Sequence, residues 1–158
     1  MRTGRFRPVV WCLAPALVVL AALPLSAAPP VVIQAGVGIG PITIGMRVAA
    51  VAPALGLQAT PKLSGSSVVY EYGKVGLTVW ATDDQVIRVA TRNPFHKTPT
   101  GVRPGQPWSD ALLSVCRGAA LTAETPRGFE ASCPFVGIGF EVVGGKVGSI
   151  SVFRAARW

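Results

Sequence analysis

The chain has 158 residues, 50% of them hydrophobic, with 18 glycines, 14 prolines and a formal net charge of +8. That length holds one ordinary domain. Much of the basic and apolar excess lies at the front, where it reads as an export signal, and export disfavours nucleic acid as a partner.

Residues 1–28 read as a secretory signal peptide. Arg2, Arg5 and Arg7 form a positive n-region, residues 9–25 are apolar, and Ser26-Ala27-Ala28 offers small residues for cleavage. Pro15 and Pro24 weaken the alternative of a retained spanning helix. Removing the three arginines leaves 12 basic against 7 acidic residues, a net +5. An exported protein with that charge suits acidic surfaces outside the cytoplasm, and its membrane contact would be through the signal peptide before cleavage. The periplasm or the extracellular space is the expected location.

Residues 29–40 read as a flexible mature N-terminus leading into a short strand over 39–44. Gly36-Val37-Gly38-Ile39-Gly40 has the glycine density of a phosphate loop, but no Lys-Ser or Lys-Thr follows it. No nucleotide or other cofactor is expected.

Residues 41–93 read as a first helix-plus-sheet unit. Val48, Val51, Ala52 and Leu55 form an apolar stripe at helical spacing. Pro53 inside it predicts a short or kinked helix ending near Gly56. Residues 60–67 read as a polar loop. Strands are expected over 68–72, 75–80 and 86–91, with turns at Gly73-Lys74 and Asp83-Asp84.

Residues 94–100 form a proline-bearing linker around His96, the only histidine. A lone imidazole is a poor basis for a metal site or a Ser-His-Asp triad, so no metal is expected. Residues 101–158 read as a second unit. Trp108, Ala111, Leu112 and Val115 repeat the stripe sixty positions on, with Pro107 at the helix start and Arg117-Gly118 at its end. Strands follow over 129–133, 136–142 and 147–153, sixty-one positions after their counterparts.

The one-sided apolar alternation predicts an antiparallel sheet with one covered face. The register expected pairs Tyr70 with Leu77, Val79 with Val89 and Ala81 with Ile87. Ala131 is set against Ile138, Phe140 against Ile150, and Ile138 against Val152. The opposite face gathers Val69, Thr78, Trp80 and Arg88 from the first unit, with Glu130, Glu141 and Ser149 from the second. Trp80 opposite Arg88 suits cation–π contact and the chemistry of interface hot spots. Glu130 and Glu141, expected diagonally on adjacent strands, raise the alternative of a carboxylate pair in a small hydrolase.

Cys116 and Cys133 remain after signal removal. An even pair in an exported chain reads as one disulfide, the alternative being two free thiols for catalysis or metal.

Gly45-Met46, Leu55-Gly56, Tyr70-x-Tyr72, Gly76-Leu77-Thr78-Val79 and Asp84-Gln85-Val86-Ile87 are all echoed between Gly105 and Ile150. This pattern resembles the tandem-repeat fold of the beta-lactamase inhibitory protein, shared with small outer-membrane assembly lipoproteins of the SmpA/OmlA type. The resemblance implies an α+β fold of two tandem units, each a helix plus three antiparallel strands. Together they would form one continuous sheet with helices on one face and an open face for a protein partner. It also implies a disulfide within a unit. The reading is an exported, non-enzymatic, inhibitor-like protein-binding module, with an envelope assembly or structural factor as the alternative.

Overall fold

The computed structural model describes residues 31–109, 115–116 and 121–156. The signal segment read over residues 1–28 lies outside them. The fold is mostly β. Strands β1 (Ile33–Gln34), β2 (Gly38–Ile39) and β3 (Ile42–Thr43) form a small antiparallel sheet, followed by helix α1 (Val48–Leu55). Strands β4 (Pro61–Ser64), β5 (Ser67–Tyr72), β6 (Leu77–Thr82) and β7 (Gln85–Thr91) form one meander. Strands β8 (Leu121–Thr125), β9 (Gly128–Cys133), β10 (Ile138–Val143) and β11 (Lys146–Phe153) form another. The meanders join through their last strands into one eight-stranded sheet, ordered β4-β5-β6-β7-β11-β10-β9-β8.

This corrects the expected α+β fold of two helix-plus-three-stranded units. Each half supplies four strands, and α1 is the one complete α-helix among the described residues. Strand β4 was hidden in an apparent polar loop because all four of its residues are exposed. An edge strand carrying proline and lysine needs no buried stripe. The segment read as flexible, residues 29–40, holds β1 and β2, and β3 falls within the short strand expected over 39–44; glycine turns let Ile33, Ile39 and Ile42 become fully buried.

α1 follows its stripe: Val51 is buried, Val48, Ala52 and Leu55 are partly so, and the intervening residues are exposed. Pro53 is accommodated because the helix is only two turns long and stops at Gly56, whose φ is 63°. Of the second stripe, Trp108 and Val115 pack against the core, and Ala111 and Leu112 lie outside the described residues. The Trp108 ring meets Phe129 and Phe140 edge-on, with centroids 5.2 and 5.6 Å apart.

The inner sheet face is built from rows that cross six strands. One row is Tyr70, Val79, Val89, Val152, Ile138 and Cys133. These rows are closed by β1–β3, α1 and Trp108 into a single core. Val79–Val89, Phe140–Ile150 and Ile138–Val152 pair as expected. Tyr70 faces Val79 and Ala131 faces Phe140, each two residues from the expected partner. In the first case a 3-10 turn over Gly73–Val75, closed by Gly76, is longer than the two-residue turn assumed. A slip of two leaves every side chain on its face.

The Ala81–Ile87 pairing fails for another reason. A bulge sets Ala81 against Val86, so Val86 turns inward and Ile87 is 42% exposed. Gly148 occupies the equivalent bulge in β11, between Glu141–Ser149 and Val142–Val147.

The disulfide joins Cys116 to Cys133, with Cα atoms 5.8 Å apart and a sequence separation of 17. Such bonds persist where thiols are not kept reduced, which points to an oxidising, extracytoplasmic setting. Closing a loop of this size contributes roughly 3 kcal/mol in the chain-entropy view. His96 is also buried, at 5% exposure, with Nδ1 2.7 Å from Thr91 Oγ1. That hydroxyl also accepts from the Asn93 N–H. Lys97, next in sequence, exchanges backbone hydrogen bonds with Val31 and Ile33, so this strap ties the small sheet down.

Two tests follow from the packing. A chain expressed from residue 31 onward, oxidised and denatured without reductant, should titrate no free thiol; two thiols per chain would contradict the bridge. Burial lowers the His96 pKa below its usual 6.5. The neutral ring's stabilisation is therefore complete above the unfolded value and is lost as pH falls through the folded one. Urea midpoints should fall between pH 7.5 and pH 5, and His96→Gln should flatten that slope.

Candidate functional site

The outer sheet face carries the polar residues that alternate with the core rows. Strands β6 and β7 present Thr78, Trp80, Arg88 and Ala90 there, because these positions have opposite parity to Val79 and Val89. Glu130, Glu141, Ser149 and Ser151 come up from β9, β10 and β11 by the same rule. The sheet curls enough for residues from β6 to β8 to line one groove of about 160 Å³.

Trp80 and Arg88 sit directly opposite, and the Arg88 Cζ lies 5.1 Å from the Trp80 ring centroid. This is a cation–π stack. The stacked guanidinium then bridges the two meanders: its Nη2 donates to Glu130 Oε1 at 2.6 Å and to Ser151 Oγ at 3.2 Å. Gly139 leaves the floor of the face low. A Cβ there would come within 2.9 Å of Ser151 Oγ and 3.3 Å of the Phe153 ring. A second pair lies alongside, with Arg92 Nη2 3.3 Å from Glu141 Oε2, an oxygen that also accepts from Ser149 Oγ at 3.0 Å.

Both pairs stay in contact with solvent. The Arg88 and Glu130 side chains are 37% and 39% exposed, so their attraction is screened and of surface magnitude. Two buried polar atoms among the described residues have no hydrogen-bond partner, Arg88 Nε and Thr125 Oγ1. Both belong to groove-lining residues. No group of three or more His, Cys, Asp or Glu is placed to hold a metal among the described residues. His96 is buried in its own strap and is not among the residues lining the groove.

Of the expected site residues, the groove brings together Thr78, Trp80, Arg88, Glu130, Glu141 and Ser149. Val69 sits opposite Trp80 on β5, but it is only 8% exposed and stands outside the groove. Glu130 and Glu141 are direct cross-strand partners rather than diagonal ones. Sequence reasoning missed Ala90, Arg92 and Thr125. Arg92 shares the parity of Arg88, a signal lost when the strand was ended at Thr91. Thr125 lies on β8, whose Leu-Thr-Ala-Glu-Thr alternation before a Pro-Arg-Gly turn was available but unread.

A double-mutant cycle with Arg88→Gln and Glu130→Gln should return a coupling of about 0.2–1 kcal/mol, the range for exposed pairs. Denaturant midpoints of the four proteins measure it. A coupling above about 2 kcal/mol would mean that the pair is far more desolvated than its exposure indicates.

No protein family and no curated protein matches the chain. Among solved structures it is similar to the uncharacterized protein yfeY from Escherichia coli, at 23% identity and a TM-score of 0.53. The match covers 78% of this chain and 99% of that one. It is also similar, at 10% identity and a TM-score of 0.46, to an extracellular protein containing a SCP domain from Bacillus anthracis str. Ames. That match covers 70% of this chain and 44% of that one. The first likeness concerns the fold alone. Neither structure is described as a beta-lactamase inhibitory protein or an SmpA/OmlA-type lipoprotein.

Proposed function

We propose that the chain is an exported, non-enzymatic protein-binding module that engages its partner through the outer face of the eight-stranded sheet. The observation that carries this reading is the contrast between the two faces. The inner one is closed by β1–β3 and α1, whereas the outer one holds an open groove with a half-buried Trp80 stacked on Arg88. Tryptophan and arginine are the residues that most often dominate interface energetics. The disulfide supports the extracytoplasmic half of the proposal.

The hydrolase alternative rests on Glu130 and Glu141. A hydrolytic pair needs one carboxyl that gives a proton to a leaving group. Here each carboxylate accepts from an arginine, and Glu141 accepts from Ser149 as well. That arrangement supports recognition.

A pull-down from the native envelope fraction supplies the partner. Trp80→Ala should then weaken binding by about 2 kcal/mol or more, as truncation of an anchoring aromatic does. Stability should fall by only about 1 kcal/mol, the worth of an exposed cation–π stack. Unchanged affinity with a large drop in melting temperature would assign Trp80 to the core and contradict the proposal.

A further inference from the structure

The groove has a charge pattern beyond its overall polarity. Arg88 lies on β7 and Arg92 directly follows that strand, while Glu130 and Glu141 lie on β9 and β10. Strand β11 runs between the two sets and contributes uncharged Ser149 and Ser151. The Arg88–Glu130 and Arg92–Glu141 pairs therefore point the same way across the sheet, positive on the β7 side and negative on the β9–β10 side. Two side-by-side dipoles of like sense repel, and a third dipole laid antiparallel between them is attracted to both. An isolated anion gains from the arginines and loses to the glutamates, and an isolated cation meets the reverse.

Size and hydrogen bonding narrow the ligand further. A groove of about 160 Å³ is smaller than ordinary drug-sized pockets, which run to roughly 300–1,000 Å³. It suits one or two short side chains. Each ion pair uses one guanidinium nitrogen and one carboxylate oxygen. Hydrogen-bonding capacity is therefore left on both members of each pair, since a guanidinium has five N–H donors and a carboxylate two acceptor oxygens. The two orphaned buried polar atoms of the described residues, Arg88 Nε and Thr125 Oγ1, both belong to residues that line this one groove. Nε needs an acceptor, and the hydroxyl takes either role. Both atoms are closed off from solvent, so direct contact falls to the partly exposed guanidinium and carboxylate groups.

We infer that the groove takes a neighbouring acidic and basic side chain from the partner protein, the carboxylate seated against Arg88 and Arg92 and the ammonium against Glu130 and Glu141. This rests on the reading of the outer face as a protein-binding surface and names the chemistry that the face selects. The net-neutral groove makes the contact a charge-pattern match rather than a response to the chain's overall positive charge.

The test uses the folded, oxidised protein and its Trp80 indole and Arg88 Nε–H resonances. The probes are a terminally blocked Asp-Lys dipeptide, free glycine, acetate, methylammonium and a neutral monosaccharide. The dipeptide is expected to shift both resonances saturably at millimolar concentration, with at least tenfold weaker apparent affinity for acetate, methylammonium and the sugar. Arg92→Gln, at a largely exposed position, should weaken the dipeptide at least fivefold with an unchanged melting temperature, and Glu130→Gln should weaken it by a similar factor. Acetate matching the dipeptide would make this an anion site and overturn the inference. Glycine or the sugar matching it would make the groove a small-molecule site, and that also overturns it. If no probe binds while Trp80→Ala still weakens the captured partner, the inference falls and the protein-binding proposal stands.

Discussion

The architecture depends on the pairing of β7 with β11. Among the described residues, four pairs, Arg88–Phe153 to Thr91–Ile150, join the two meanders in the sheet. Without that seam, each half would be a four-stranded meander with one apolar face and an extra open edge. With it, Val89 and Val152 meet at the centre of an eight-stranded face, and β2 packs across both halves. The apolar rows become continuous only there, so burial on either side depends on the other. Long-range pairing of this sort is entropically costly to form, and the core behind it must offset that cost.

The same seam organises the outer face. Arg88 and Phe153 are register partners across it, and Arg88 reaches over β11 and β10 to Glu130. The groove therefore belongs to neither half alone. Its tryptophan and arginines come from the first meander and its carboxylates from the second. A polar face of this kind is stable without a covering layer because its charges are paired and hydrated. It is also well suited to recognition, since each charge keeps hydrogen-bonding capacity for a partner.

Much of this was legible in the alternation of the strands. The parity of Val79, Val89, Phe140 and Ile150 was enough to sort residues between faces, and the outer cluster of Thr78, Trp80, Arg88, Glu130, Glu141 and Ser149 emerged from parity alone. The disulfide was legible because only two cysteines lie beyond the stretch read as a signal. What escaped has common causes. Edge strand β4 lacks the buried stripe that marks a strand. The bulge at Ile87 reverses parity within a strand, and alternation cannot locate such a reversal. The short strands β1 and β2 carry only two buried isoleucines among glycines, a pattern that reads as flexible until the sheet beneath them is known. Arginine pairing across the seam depends on strand order, which local patterns do not contain.

Native-state amide hydrogen exchange tests the shared seam most directly. If the halves form one cooperative unit, amides of β7 and β11 around Val89 and Val152 should be the slowest in the molecule. They should also share one opening free energy, equal to that of global unfolding measured by denaturant. Exchange of the β5–β7 amides through an opening several kcal/mol below the global value, with β9–β11 still protected, would show that the meanders open separately and would contradict the account.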